Sequence, residues 1–242
     1  MTKMTLDKIL QSQGFGTRRE CRHLIQAGAV SIGGSTATDY DTPLDTADLV
    51  FTIDDEDWRY RKQVYIVLNK PGNYECSRKP SHHPTVLSLL PEAYRQRDVQ
   101  PVGRLDHDTT GLLLLSDDGA FIHTQSSPKH GVAKTYLATT AEPVTDALLR
   151  KLREGVKLID EPAPLAAVHV RQCASNQLEI VLAQGKYHQV KRMLAAAGNH
   201  CAALSRTAMG CLQLADLALA EGEWCHLEPD QLALLNRHPD FK

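Results

Sequence analysis

The chain of 242 residues carries 27 Lys and Arg against 29 Asp and Glu, a formal net charge of −2. With 42% hydrophobic and 23% charged residues it has the composition of a globular protein, which excludes a disordered, collagen-like or coiled-coil chain. No apolar run approaches the roughly 18–20 residues that span a bilayer, and the length allows one large domain or two small ones around a real hydrophobic core.

The start, MTKMTLDKIL, lacks the apolar stretch and small-residue cleavage site of a signal peptide, so a cytoplasmic protein with no membrane partner is expected. Leu6, Ile9 and Leu10 have helical spacing, broken at Gly14-Phe15-Gly16. Thr17 then caps a second helix over 18–26, with Glu20 three residues on as its capping-box partner. That helix gathers Arg18, Arg19 and Arg22, while Leu24 and Ile25 face inward. Residues 1–30 hold five basic against two acidic side chains, whereas 39–57 hold eight acidic and no basic ones. The near-neutral total therefore leaves room for nucleic acid, because binding depends on where positive charge is concentrated. On charge alone the three arginines read as a solvated helix face. Residues 29–32 followed by Gly33-Gly34 read as a strand entering a turn. The string LDKILQSQGFGTRRECRHLIQAGAVSIGG resembles the S4 RNA-binding domain over about the first 55 residues, and that resemblance implies a basic helix presented to folded RNA.

The acidic run 54–57, followed by Trp58-Arg59-Tyr60-Arg61-Lys62, reads first as a linker, with a docked edge strand as the alternative. Residues 64–68 form a strand stopped by Lys70-Pro71-Gly72. The wholly apolar run 112–115, closed by Asp117-Asp118-Gly119, fits a buried strand and turn, and 134–139 reads as another strand. A helix is expected over 143–153, with Pro143 in its first turn and Gly155 as its stop. Strand periodicity returns at 165–170 and 178–182, and a last helix runs over 188–197. Strands predominate and helices punctuate them irregularly, so the expected fold class is α+β with a largely antiparallel mixed sheet. The expected division is 1–57 for the first domain, 58–62 for a linker and 63–242 for the second.

Six cysteines form no CxxC pair and read as reduced thiols, and the adjacent His82 and His83 lie in a Pro-flanked loop, so no metal is expected. Three segments could carry chemistry. The first, Gly103-Arg104-Leu105-Asp106-His107-Asp108-Thr109-Thr110-Gly111, places an Arg and two carboxylates in a loop ahead of a buried strand. The others are Lys134-Thr135-Tyr136 and 184–193, with Tyr187, His188, Lys191 and Arg192. Asp and Thr at strand edges commonly satisfy backbone N–H groups, and this bland role accounts for the same spacing. No dinucleotide fingerprint, P-loop or GxSxG elbow is present. Asp106 and Asp108, two apart on an extended segment, would point to opposite faces and not form a glycosidase pair, so a single nucleophilic carboxylate fits better.

GRLDHDTTGLLLLSDDG, KTYLATT and GKYHQVKRMLAAAGN, in that order behind an S4-like segment, resemble the pseudouridine synthases of the RsuA/RluB/E/F group across nearly the whole chain. HPTVL, TTG and YHQVKRM look most like the small-subunit branch of that group, which modifies one uridine of 16S ribosomal RNA. The resemblance implies that uracil leaves ribose C1′ through N1 and rejoins it through C5. It makes Asp106 the catalytic carboxylate, either attacking C1′ or removing a proton from the sugar. Lys191 matches the basic residue paired with it, with Arg192 as the neighbouring candidate or a phosphate contact. Tyr136 matches the catalytic tyrosine that stacks on the target base and takes part in proton transfer, though a half-buried strand aromatic is its other reading. Arg104 matches the residue that follows the extruded base, and Arg18, Arg19 and Arg22 would meet RNA phosphates. Asp108 and Thr109 would shape the loop, and His188 would be structural or an RNA contact. No metal or organic cofactor is implied, the partner is ribosomal RNA, and a monomer is expected. The rivals are a sister synthase acting on large-subunit RNA or tRNA, and a non-catalytic RNA-binding assembly factor.

Overall fold

Thr17 starts the second helix as its spacing requires: its hydroxyl accepts from Glu20 N, the Glu20 carboxylate accepts from Thr17 N, and the helix runs Arg18–Gln26. The computed structural model describes residues 3–241, leaving the outer ends of the two expected domains, 1–2 and 242, outside it. The chain forms two units, one running to Val64 and taking in Leu90–Val99, the other holding the rest.

In the first unit, helices Leu6–Ser12 and Arg18–Gln26 pack on a four-stranded sheet ordered Ser35–Thr36, Val30–Ile32, Val50–Ile53, Glu56–Arg59. Its core is Leu6, Ile9, Leu10, Cys21, Ile25, Val30, Phe51 and Ile53. The acidic run is not a linker. Asp54 and Asp55 take left-handed φ of 50° and 64° and turn the chain, so that Glu56–Arg59 docks as the edge strand on Val50–Ile53. Aspartate tolerates that conformation better than most residues, which is why the turn can be acidic. Trp58 then packs edge-on against Phe15, ring centroids 4.9 Å apart, and the linker expected at 58–62 is replaced by chain that belongs to this unit.

Leu90–Val99, expected in the second domain, clusters with the first unit for a local reason. A Cβ on Gly14 would lie 1.9 Å from Ala93 O, so only glycine permits that approach. The Arg97 guanidinium then donates to Gln13 Oε1 at 2.8 Å and to Arg61 O at 3.0 Å.

The second unit is built on a nine-stranded sheet. Its order is His169–Ala174, Gln177–Leu182, Lys134–Thr140, Cys201–Met209, Thr110–Ser116, Tyr65–Lys70, Trp224–His226, with Gln100–Pro101 and Leu212–Gln213 as short additions. Cys201–Met209 and Thr110–Ser116 pair in parallel, and the other ladders are antiparallel. The fold is α+β. Gly111 lets the two parallel strands approach at their seam, since a Cβ there would sit 2.3 Å from Arg206 O. Leu112 to Leu115 are all fully buried, as a central strand covered on both faces requires.

Two elements start later than their spacing suggests. Val144 N donates to Ser175 O, which keeps Pro143-Val144 extended; Thr145 caps the helix, which runs Asp146–Glu154 and stops at Gly155, φ +104°. Leu165 forms an isolated bridge with Val156, and the strand begins at His169.

Candidate active site

The 103–109 loop is folded back on itself. Thr109 N donates to Asp106 O at 3.1 Å and Asn73 N donates to His107 O at 2.8 Å. Beneath it lies Lys70, with no exposed surface. Its Nζ donates to Pro71 O and His107 O at 3.0 Å each and to Thr109 O at 2.9 Å. Burial pushes its pKa down, partly offset by Cys76, Asp108 and Asp106. Three carbonyls match the three donors of an ammonium, so the cation is satisfied while it ties the loop to the strand below. Lys70→Met should leave those carbonyls unpaired and cost about 2–4 kcal/mol of stability. Chemical unfolding checks this; a loss under about 0.5 kcal/mol would show that the tether is idle.

The loop turn corrects the expectation that Asp106 and Asp108 point apart. Lys191 Nζ lies 3.3 Å from Asp106 Oδ2 and 2.6 and 2.8 Å from the two oxygens of Asp108. The other oxygen of Asp106, Oδ1, lies 3.2 Å from His188 Nε2. Each Asp106 oxygen therefore has its own partner, and one ammonium bridges both carboxylates. Burial raises the Asp108 pKa, but the hydrogen bond and charge of Lys191 outweigh it and hold the group below the usual range. Burial likewise lowers Lys191, and Asp108 and Asp106 outweigh it in the other direction, so its pKa is raised.

The helix Gln189–Ala197 buries Val190, Met193, Leu194 and Ala197, and that anchorage fixes Lys191. His188, at its N-terminus, has φ 46° and ψ 36°, a left-handed conformation that costs a non-glycine residue free energy. Its ring stacks on Tyr187, centroids 3.9 Å apart.

Tyr136, 8% exposed, stands on a central strand opposite Arg206. With Arg104, Asp106, Leu182, His188 and Val190 it lines a small cavity of about 80 Å3. A larger cavity of about 750 Å3 shares the Arg104, Asp106, Lys186 and His188 walls. Arg104 is exposed. Buried Lys134 donates to Val132 O at 2.9 Å, and burial together with the Arg206 charge pushes it down to about 8.

Arg192 does not join Asp106: its guanidinium meets Asp160 at 3.6 Å and Tyr187 O at 3.2 Å. In the first unit, Arg18 and Arg22 each place Nε 2.7 Å from Oδ2 of the buried Asp7. Thr5 donates to its other oxygen at 2.6 Å. Burial works against the Asp7 charge, but these three donors outweigh it and hold its pKa far below the usual value. Arg22 also lies over the Tyr40 ring, whereas Arg19 is exposed. The basic helix is thus pinned at two of its three arginines.

Two residues at the site escaped sequence reasoning in the roles they take. Lys70 reads there only as part of a strand stop, and His188 as structural or an RNA contact.

The profile of the S4 domain matches residues 4–50, and that of the RNA pseudouridylate synthase family matches 64–196. The "Uncharacterized RNA pseudouridine synthase YtzG" of Bacillus subtilis (strain 168) is 36% identical over 96% of this chain and 98% of its own. The "Ribosomal small subunit pseudouridine synthase A" of Escherichia coli (strain K12) is 41% identical over 70% of this chain and 72% of its own. The protein of the same name from Pasteurella multocida (strain Pm70) is 34% identical over 97% and 100%. A crystal structure of a pseudouridylate synthase, 33% identical, covers 96% of this chain and 99% of its own with a TM-score of 0.67.

Proposed function

Because the chain belongs to the RNA pseudouridylate synthase family, we propose that it converts one uridine of small-subunit 16S ribosomal RNA to pseudouridine, with Asp106 as the catalytic carboxylate. Relatives named for the small ribosomal subunit support that target. The observation that carries the catalytic assignment is the double pairing of Asp106 with Lys191 and His188 on the wall of a cavity that also holds Tyr136.

The reaction is an isomerisation. The N1–C1′ bond breaks, the base turns, a C5–C1′ bond forms, C5 gives up its proton and N1 takes one up. Asp106 acts either on C1′ or on a sugar proton. The uridine must leave the RNA stack to reach it; Tyr136 stacks on the base and Arg104, exposed at the cavity, follows it. Arg18, Arg19 and Arg22 meet phosphates, as does Arg192. The first unit binds RNA, the second performs the chemistry, and the chain acts as a monomer in the cytoplasm.

Because the C5 hydrogen is lost, small-subunit RNA made with tritium at uridine C5 tests the reading. The purified protein should release tritium equivalent to one uridine per RNA molecule. Release from large-subunit RNA or tRNA instead would move the target, and no release from any of them would remove the activity.

A further inference from the structure

We propose that the cavity of about 750 Å3 bounded by the 81–83 loop, the 103–107 loop and Tyr187-His188 seats the nucleotide next to the target uridine, its base stacked on Tyr187 and His83. The proposal rests on the reading of the Asp106 cavity as the uridine site, and it extends that reading along the RNA.

Four of the five rings lining this cavity form two stacked pairs. His83 lies on His107 with centroids 4.5 Å apart and planes 8° apart, and Tyr187 lies on His188 at 3.9 Å and 16°. Tyr187 is 76% exposed, a large flat ring left in water beside the site. Flat rings presented this way are how proteins hold unpaired RNA bases. The loop carrying His83 is fixed from below: the Glu75 carboxylate accepts from Ser81 N at 3.0 Å, His82 N at 2.8 Å and His83 N at 3.0 Å. Those amides bring the Glu75 pKa down to about 2, so the carboxylate stays ionised and keeps the loop in place. Arg104 and Lys186 stand on the walls shared with the small cavity, where the phosphate joining two nucleotides would pass. Covalent continuity supplies the occupant. A uridine extruded into the small cavity brings its neighbour to the adjoining space.

The test uses the RNA fragment that the parent protein modifies, intact or with an abasic nucleotide immediately 5′ or immediately 3′ of the target. One of the two abasic fragments should raise the KM of the parent about tenfold with little change in kcat, as the loss of one stacked base does. The same fragment should change the KM of Tyr187→Ala and of His83→Ala less than about twofold, because those variants have already lost the platform. Tyr187 is exposed, so its variant folds, and a thermal melt checks both. Equal abasic penalties in parent and variants, or no penalty on either side, would overturn the subsite. Failure of the parent to form pseudouridine on any intact ribosomal fragment would overturn the proposed function instead.

Discussion

Asp106→Asn is expected to reduce uridine isomerisation to below about one ten-thousandth of the parental rate while RNA affinity stays within a few fold. The amide keeps the shape and can still accept from Lys191, which lies 3.3 Å from Oδ2, so the site stays formed. What is lost is the negative charge that attacks C1′ or takes the sugar proton, and neither step has a substitute among neutral groups. Binding draws instead on phosphates, stacking and the basic helix, none of which needs the carboxylate. Single-turnover rates and filter binding on one RNA separate the two effects. Appreciable turnover by the variant would remove Asp106 from the chemistry.

Lys191→Met should cost about 100- to 1000-fold at neutral pH, and its pH profile should differ from that of the parent. In the parent, Lys191 bridges Asp106 and Asp108 and lowers the Asp108 pKa. Without the cation, Asp106 and the exposed Asp108 lose the ammonium they share, and the two carboxylates together hold a proton to higher pH than before. The sign follows: activity should climb as pH rises and the pair returns to its ionised form, over a range where the parent is flat. Lys191→Arg should keep much of the rate, because charge is the first requirement, though the two side chains differ in shape. Arg192→Met, whose guanidinium meets Asp160 and Tyr187 O, should lose only a few fold. A Lys191→Met protein with the parental pH profile and only weaker RNA binding would make Lys191 a backbone contact.

Much of the local structure is legible in the sequence because it is decided locally. Thr17 and Glu20 cap each other within one helical turn, and Gly155 stops its helix because glycine accepts φ +104° there. The central strand at 112–115 announces itself by an apolar run that has to be buried. Features set by distant partners are hidden. Asp54 and Asp55 read as a solvated linker until Glu56–Arg59 has Val50–Ile53 to pair with. Pro143 reads as a helix start until Val144 is drawn to Ser175. The site divides in the same way. Asp106, Tyr136 and Lys191 stand in recognisable motifs, but the sharing of Lys191 between two aspartates depends on a turn that spacing along an extended segment cannot reveal. Lys70 is invisible as a tether, because two of its three carbonyls come from residues 37 and 39 positions along the chain.

Pseudouridine mapped across ribosomal RNA from cells with and without the gene would show the target directly. One position in 16S RNA should lose its pseudouridine in the deletion, regain it with the parental gene and not with Asp106→Asn. A 16S map unchanged by the deletion, or one restored by Asp106→Asn, would contradict the account.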